Sequence, residues 1–218
     1  MVQRKKRIAI NGFGRIGRVL ARIILSNPDR FDFELASINT PGDPESILYL
    51  LKYDSTHGVF NNELSLNGQQ LISGNHAVAL SSVAEIPPGF WEKKAIDYVL
   101  DCSGLCKDKA SAAKHIQAGA SKVLIASPAK GVDKTVVYGV NHLSIKPDDR
   151  VISCASCTTN CLAPIAAILD KAFNIQSGFM TTVHAYTNDQ ALIDRRHRDP
   201  RRGRAAAQSI GPTTTGAA

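Results

Sequence analysis

The stretch "RIAINGFGRIGRVLARIIL", residues 7–25, decides the fold of this 218-residue chain. A short apolar run ends at Asn11, the glycine-rich turn "GFGRIG" follows, and apolar residues then recur at helical spacing. This order predicts a strand, a tight turn and a helix. "FDFELASIN", residues 31–39, alternates apolar and polar side chains and predicts a second strand, which completes a βαβ unit.

The turn contains three glycines at the spacing Gly12-x-Gly14-x-x-Gly17. Between a predicted strand and a predicted helix, this spacing favours a dinucleotide-binding turn over a plain strand-to-helix turn. Gly12 permits the tight turn, Gly14 allows backbone to approach a pyrophosphate, and Gly17 allows close packing of helix on strand. The free amides at the helix N-terminus are suited to bind phosphate.

The rest of the first part continues the alternation of strands and helices. We predict strands over residues 76–80, 97–101 and 122–126 and a helix over 107–120, a pattern typical of an α/β doubly wound parallel sheet. The break "IKPDDR", residues 145–150, precedes the apolar "VIS", and we place the domain boundary there. The first domain then covers 1–152. The second covers 153–218, with a helix over 158–173 and a strand over 177–184.

Three of the five cysteines lie within "SCASCTTNCLAP", residues 153–164. A zinc site would need a fourth ligand at ordered spacing, and a redox pair of Cys154 and Cys157 would need a thioredoxin-like context. We favour a nucleophile. Cys157 lies at the predicted start of a helix, where the dipole favours a thiolate, and His184 is a candidate base. Cys154 then belongs to the preceding strand and Cys161 packs inward.

Composition and charge narrow the classes of function. The net charge is +7, and six arginines lie within "RRHRDPRRGR", residues 195–204. Without interleaved aromatic residues this run disfavours nucleic acid as the partner, whereas phosphorylated small ligands pair well with arginine. The clustered, odd-numbered cysteines, the short apolar run at the N-terminus and the lack of a membrane-length apolar stretch predict a cytoplasmic protein with free thiols.

Five motifs together resemble phosphorylating glyceraldehyde-3-phosphate dehydrogenase. They are "NGFGRIGR" (residues 11–18), "LKYDSTHG" (51–58), "SCTTNCLAP" (156–164), "TVHAYTNDQ" (182–190) and "PTTTGAA" (212–218). The resemblance implies a Rossmann-like NAD(P)-binding domain followed by the N-terminal part of an α+β catalytic domain. The family chain continues beyond the length present here, so the chain resembles one that stops inside its second domain.

The resemblance also implies a mechanism. Cys157 attacks the aldehyde of glyceraldehyde 3-phosphate, His184 takes a proton as hydride passes to nicotinamide, and inorganic phosphate cleaves the thioester to give 1,3-bisphosphoglycerate. No metal is expected. The motif positions assign the cofactor to Asn11, Gly12, Gly14, Arg15, Ile16, Gly17 and Thr40. They assign the substrate phosphate to Thr187 and Arg202, and inorganic phosphate to Ser156, Thr158, Thr215 and Gly216.

Two departures from the family pattern concern the cofactor. Thr40 stands where the family commonly has an aspartate that binds the adenosine ribose, and threonine does not repel a 2′-phosphate. Arg195 and Arg196 stand where many NAD-specific relatives have Leu-Pro, in a loop that approaches a neighbouring subunit's cofactor in the family's homotetramer. Both changes favour NADP, or dual use of NAD and NADP.

Two other functions stay open from the sequence. One is erythrose-4-phosphate dehydrogenase, a close relative, although "HAYT" and "PTTTG" (residues 184–187 and 212–216) fit the glyceraldehyde phosphate enzyme better. The other is a non-catalytic fragment that binds a nucleotide or RNA through its basic surface.

Overall fold

A computed structural model describes residues 4–217 of the chain. It divides into two compact units, one that ends at Ala155 and one that begins at Ser156. The division lies three residues after the sequence-based boundary because Val151–Ser153 pairs with the sheet of the first unit. The functional division into a cofactor domain over 1–152 and a catalytic domain over 153–218 remains a prediction.

The first unit is built on strands. In residues 4–155 they are β1 (Lys6–Asn11), β2 (Phe33–Asn39), β3 (Tyr53–Asp54), β4 (Gly58–Val59), β5 (Leu64–Asn67), β6 (Gln70–Ser73), β7 (His76–Ser81), β8 (Tyr98–Asp101), β9 (Lys122–Ile125), β10 (Lys134–Thr135) and β11 (Val151–Ser153). The helices of this unit are α1 (Arg15–Ser26), α2 (Pro44–Lys52) and α3 (Lys109–Gln117), with short 3₁₀ turns at Pro28–Arg30, Glu92–Lys94 and His142–Ser144.

Nine of these strands form one sheet in the order β10-β11-β9-β8-β1-β2-β7-β6-β5. The pairs from β10 to β7 are parallel, and the β5–β6–β7 edge is antiparallel. The predicted doubly wound parallel sheet is therefore confirmed. The strand order reverses between β1 and β8, and ligands of such sheets bind in the crevice at the carboxyl ends of the strands at that point.

Helices cover both faces of the sheet because the side chains of β1 alternate between two cores. Ile8 and Ile10 pack with α1, α2 and the edge hairpin, in a cluster that includes Ala21, Ile24 and Leu51. Ala9, on the opposite face, packs with Trp91, Ile96 and Val99. Since both faces of the parallel strands are buried, their sequences read as nearly continuous apolar runs.

Local sequence explains the helix α2, which the sequence analysis did not assign. The side chain of Asp43 accepts a hydrogen bond from the Ser46 amide, and Pro44 occupies the first turn. This is a common start signal, since proline lacks an amide that would otherwise be unpaired there. Ile47 and Leu51, one turn apart, are the buried residues of the helix.

The second unit contains the helix α4 (Cys157–Phe173) and the short 3₁₀ helix Pro200–Gly203. Ser156 is the N-cap of α4, and its hydroxyl accepts from the Thr159 amide at 2.9 Å. The C-terminus is closed by Asn174 in the left-handed region, at φ 55°. The predicted helix over 158–173 is confirmed and begins one residue earlier.

The predicted strand over residues 177–184 is wrong. This stretch is irregular, and no strand forms in the described part of the second unit, residues 156–217. The stretch "SGFMTTVH" contains the aromatic and β-branched residues that strands favour, but a strand needs a neighbour to bond its backbone groups. The side chains of Phe179 and Val183 are exposed. Within residues 4–217, no helix is long and apolar enough to cross a membrane.

Candidate active site

The glycine turn adopts the close geometry that its sequence predicts. Gly12 has φ +91°, and its amide donates to the Asn39 carbonyl at 2.8 Å. A Cβ atom on Gly12 would lie 2.5 Å from the Ser103 backbone, and one on Gly17 would lie 2.2 Å from the Gly12 carbonyl oxygen. Neither distance leaves room for a side chain, so α1 packs against the end of β1 only because both residues are glycines.

The N-terminus of α1 fits a phosphate group. Gly14 is its N-cap without any side-chain hydrogen bond, and the first turn has no acidic residue. A Cβ atom on Gly14 would meet nothing within 4 Å. Open space therefore lies over amides that carry the positive end of the helix dipole. These observations fit a dinucleotide whose pyrophosphate approaches Gly14.

The two glycines give a matched pair of substitutions. Gly12→Ala is expected to destabilise the first unit by about 3 kcal/mol, because the new methyl group meets the Ser103 backbone at a positive φ. Gly14→Ala is expected to leave the unfolding temperature unchanged and to weaken nucleotide binding, because its methyl group fills the open space. Thermal unfolding and nucleotide titration of both variants test this, and an equal loss of stability in the two would contradict it.

The other residues assigned to the cofactor lie around the same turn. Asn11 ends β1, and Thr40 directly follows β2 and is buried. The Thr40 hydroxyl accepts from the Phe13 amide at 3.3 Å, which ties the end of β2 to the turn. Ile16 is half exposed on α1. Arg15 donates to both carboxylate oxygens of Asp54, at 2.5 and 3.0 Å, and this hydrogen bonding holds the pKa of Asp54 well below its usual range.

The second unit brings the predicted nucleophile and base together. Cys157 is the first residue of α4, and its Sγ lies 3.1 Å from Nε2 of His184. The two residues are 27 positions apart in the sequence, so the contact depends on the path of the irregular segment that follows α4. Both side chains are exposed to solvent. The pair has the geometry of a thiol activated by an adjacent base.

Hydrogen bonding fixes which nitrogen of His184 faces the thiol as a base. Nδ1 lies 2.6 Å from the Ala185 carbonyl oxygen, and since a carbonyl only accepts, Nδ1 has the proton. Nε2 of the neutral ring is then free to accept the proton of Cys157. The hydrogen bond from His184 lowers the pKa of the Cys157 thiol, while the Ala185 carbonyl and then Cys157 itself raise the pKa of His184. Both shifts favour a thiolate–imidazolium pair.

The neighbouring cysteines differ from Cys157. Cys154 follows β11, and burial raises the pKa of its thiol. Cys161 was expected to pack inward, and this is wrong because its side chain is exposed. It lies one turn after Cys157 on the same side of α4, and no described residue of the second unit covers that side enough to bury it. No disulfide forms within residues 4–217, which include all five cysteines.

The residues assigned to phosphate lie in three places. Ser156 and Thr158 flank the nucleophile: Ser156 caps α4, and Oγ1 of Thr158 lies 4.0 Å from the sulfur. Thr187 accepts from the Asp189 amide in an exposed turn. Thr215 accepts from the Ala217 amide, and Gly216 is exposed beside it.

Arg202 connects two of these places. Its guanidinium pairs with Asp189 and donates to Thr213 Oγ1 at 2.8 Å and to the Thr214 carbonyl at 3.3 Å. The segment around Thr187 is thereby tied to the segment before Thr215. Asp189 also lies 3.5 Å from His197, so the arginine has an internal counter-ion that an anionic ligand would have to compete with.

A row of polar residues lies at the carboxyl ends of the central strands, and the sequence predicted a role only for Asn11 among them. Asn39, Asn11 and Asp101 end β2, β1 and β8, and they are neighbours in the sheet register. Asp101 and the histidine beside it, His115, are almost fully buried. The available signal was that three predicted strands each end in Asn or Asp.

The first unit is a doubly wound α/β sheet with an open glycine turn at its switch point, and the second has a helix-start cysteine paired with a histidine. These features define a nucleotide-binding type of chain followed by a unit with an activated thiol. Residues 6–109 match the family model "Glyceraldehyde 3-phosphate dehydrogenase, NAD binding domain", and residues 156–218 match the model of the C-terminal domain of the same enzyme. The chain belongs to the glyceraldehyde-3-phosphate dehydrogenase family.

Curated relatives support this assignment. The chain is 47% identical over 215 residues to glyceraldehyde-3-phosphate dehydrogenase of Pseudomonas aeruginosa, 46% over 214 residues to that of Zymomonas mobilis and 47% over 213 residues to that of Geobacillus stearothermophilus. Each match covers 97% of this chain and 63–64% of the relative. The chain thus spans somewhat less than two thirds of the length of these relatives.

Proposed function

We propose that the chain catalyses, or is part of a protein that catalyses, the phosphorylating oxidation of glyceraldehyde 3-phosphate to 1,3-bisphosphoglycerate with NAD or NADP. The observation that supports this most directly is the 3.1 Å contact between Cys157 and His184 at the start of α4. It places a polarised thiol at a helix N-terminus in a chain of this family. In this proposal, residues 1–152 form the cofactor domain and residues 153–218 form the N-terminal part of the catalytic domain.

The contact between Cys157 and His184 supports the following steps at the thiol. The Cys157 thiolate attacks the aldehyde carbon, forming a carbon–sulfur bond, and the aldehyde oxygen takes the proton from Nε2 of the His184 imidazolium to become a hydroxyl. When bound, the nicotinamide supplies the acceptor for the hydride. Nε2 of His184 takes the hydroxyl proton, which leaves a thioester on Cys157. Inorganic phosphate then attacks the thioester carbon, the carbon–sulfur bond breaks, and the thiolate is restored.

The remaining residues have binding roles in this proposal. The dinucleotide lies on the backbone of Gly12, Gly14 and Gly17, beside Asn11, Arg15, Ile16 and Thr40. Thr187 and Arg202 bind the substrate phosphate. Ser156, Thr158, Thr215 and Gly216 bind inorganic phosphate, for which the start of α4 supplies free amides. A homotetramer in the cytoplasm is the expected assembly, and five cysteines without a disulfide are in keeping with a reducing compartment.

A comparison of aldehydes tests the proposed reaction. The full chain is mixed with NAD or NADP and with glyceraldehyde 3-phosphate or erythrose 4-phosphate, with and without inorganic phosphate, and reduced nicotinamide is measured. We expect faster turnover of glyceraldehyde 3-phosphate and dependence on phosphate. Faster turnover of erythrose 4-phosphate would favour the related dehydrogenase. Nucleotide binding without turnover of either aldehyde would favour the non-catalytic function.

We further propose that the chain uses NADP, alone or together with NAD. Thr40 is uncharged, and its hydroxyl is bonded to the Phe13 amide and directed to the turn. Thr40 therefore does not repel a 2′-phosphate, as an aspartate at this position would. Arg195 and Arg196 are exposed cations of the second unit that would face a 2′-phosphate in a family-type tetramer.

Replacement of Thr40 tests the cofactor proposal. Thr40→Asp is expected to weaken NADP binding by about tenfold relative to NAD, because a carboxylate is placed at the ribose position. Calorimetric titration of both nucleotides measures the ratio, with Thr40→Asn as the uncharged control. A strong NAD preference in the unmodified chain would overturn the proposal.

A further inference from the structure

A continuous chain of buried and partly buried hydrogen bonds lies beneath the strand ends at the switch point. Asn39, Asn11 and Asp101 are aligned on neighbouring parallel strands, so their side chains project from the same face of the sheet. Nδ2 of Asn39 lies 2.9 Å from Oδ1 of Asn11, and Nδ2 of Asn11 lies 2.8 Å from Oδ2 of Asp101. Beyond the sheet, Nε2 of His115 lies 3.2 Å from the same carboxylate oxygen.

The series of hydrogen bonds ends at Trp91, the single tryptophan of the protein. Nε1 of Trp91 lies 3.0 Å from Nδ1 of His115, and both side chains are buried. An indole nitrogen can only donate, so Nδ1 of His115 is the acceptor and Nε2 has the proton. His115 is thereby held as the neutral Nε2–H tautomer, which donates to Asp101.

The direction of every other bond follows from the same reasoning. A carboxylate only accepts, so the amide nitrogen of Asn11 faces Asp101 and its oxygen faces Asn39. The other oxygen of Asp101 accepts from the Ser103 hydroxyl at 2.9 Å. Asp101 is thus the common acceptor for Asn11, Ser103 and His115. Asn11 and Ser103 border the turn residue Gly12, where a Cβ atom would lie 2.5 Å from the Ser103 backbone.

We infer that Asp101, held by His115 and Trp91, is a positioning residue for nucleotide binding that fixes the orientation of Asn11 and the backbone beside Gly12. The inference rests on the proposed nucleotide binding and adds three residues that do not themselves contact the ligand. Asp101 is 1% exposed and is therefore shielded from competing water. The hydrogen bonds to Asp101 fix the orientation of the side chains that donate them. The side chains that border the crevice are therefore ordered before the nucleotide binds.

The charge state of the cluster agrees with this role. Burial raises the pKa of Asp101, but hydrogen bonds from His115, Asn11 and Ser103 outweigh it and leave the pKa below its usual range. The carboxyl group therefore remains an acceptor at neutral pH.

A metal site is the other use of this cluster, since Asp101, His115 and Cys106 have ligand atoms within 4.8 Å of one another. Burial and Asp101 raise the pKa of Cys106 to about 12, so its thiol keeps its proton. Nδ1 of His115 is occupied by Trp91, and a metal at Nε2 would require an imidazolate ring. The protonation of Cys106 and His115 therefore favours the series of hydrogen bonds over a metal site.

The first experiment measures the tautomer directly in the nucleotide-free chain. ¹⁵N NMR of the histidine rings is expected to show His115 as the neutral Nε2–H form. In Trp91→Phe, which removes the indole donor and keeps an aromatic ring, that preference is expected to fall. A wild-type His115 with its proton on Nδ1 would overturn the inference, whether or not the variant folds.

The second experiment is a double-mutant cycle on nucleotide affinity in the full chain. Asp101→Asn places an amide NH₂ donor among the groups that donate to Asp101, so at least one of their hydrogen bonds is lost. We expect the Kd for NAD and NADP to rise about tenfold. In an Asn11→Ala background, the same change is expected to raise the Kd by less than about twofold, because Asp101 acts through Asn11. Ser37→Ala is the matched control, since Ser37 is buried in β2 and its hydroxyl donates to the Ala79 carbonyl at 3.2 Å, away from Asp101.

The outcomes separate this inference from the proposed function. If the unmodified chain binds neither nucleotide, the proposed function fails and the inference fails with it. If the chain binds nucleotide but the effects of Asp101→Asn and Asn11→Ala on the Kd add independently, the inference alone fails. Ser37→Ala is expected to lower the unfolding temperature and leave the Kd unchanged, and a rise in Kd equal to that of Asp101→Asn would mean that the role of Asp101 is merely structural.

Discussion

Cys157→Ser is expected to abolish the oxidation of glyceraldehyde 3-phosphate, with a loss of about 10⁴-fold or more in turnover. A serine hydroxyl is of similar size and keeps the helix start, so the fold is preserved. It does not ionise at neutral pH, however, and the 3.1 Å contact with Nε2 of His184 then holds a neutral alcohol in place of a thiolate. Formation of reduced nicotinamide measures the loss. Undiminished turnover would overturn the proposed mechanism.

Cys161→Ser is the matched control for this prediction. Cys161 lies one turn further along α4 and is exposed, as Cys157 is. We expect its replacement to leave turnover within about twofold, as for surface substitutions in general. Alkylation by iodoacetamide, followed by mass spectrometry, gives a second readout that does not depend on turnover: modification of Cys157 is expected to precede modification of Cys161.

The sequence was sufficient to predict the parts of the fold that local physics determines. At the start of the chain, three glycines between an apolar run and a helical pattern require one conformation, because side chains at Gly12 and Gly17 would collide with backbone. The βαβ unit and the parallel sheet follow from that turn and from the alternation of elements. The helix α2 had an equally local signal in Asp43 and Pro44, which the sequence analysis left unused.

Features that depend on distant partners could not be predicted in this way. Residues 177–184 have the aromatic and β-branched residues of a strand, but strand formation depends on a neighbouring strand, which the described second unit does not provide. The prediction that Cys161 packs inward was wrong for a related reason. A helical position predicts which side of a helix a residue occupies, whereas burial depends on what lies opposite that side.

The candidate site shows the same division. Cys157 could be placed at a helix start from the sequence, and His184 was chosen because a cysteine nucleophile needs a base. The hydrogen-bond chain from Asn39 to Trp91 could not be found, because it joins three strands, a helix and a turn, and the order of the three strands in the sheet differs from their order in the sequence. Polar strand ends indicate a crevice, but only the register shows that Asn39, Asn11 and Asp101 are neighbours.

His184→Phe is expected to slow the alkylation of Cys157 at neutral pH by on the order of tenfold. The hydrogen bond from His184 lowers the pKa of the thiol, so in the unmodified chain the thiolate persists to lower pH. Removal of the imidazole raises the pKa again, and the pH at which alkylation reaches half its maximum moves upward. Iodoacetamide kinetics across a pH series measure this shift.

Turnover is expected to fall further than alkylation in His184→Phe, because the variant loses the base as well as the activated thiol. Nδ1 of His184 is bonded to the Ala185 carbonyl, so only Nε2 is available to take the hydroxyl proton, and phenylalanine has no substitute for it. Thiolate concentration recovers at high pH, whereas the missing base does not. Alkylation of the variant should therefore approach the wild-type rate at high pH while turnover stays low. Full recovery of both would mean that His184 only lowers the pKa of the thiol, and unchanged alkylation of Cys161 in the same samples shows that the effect is confined to the pair.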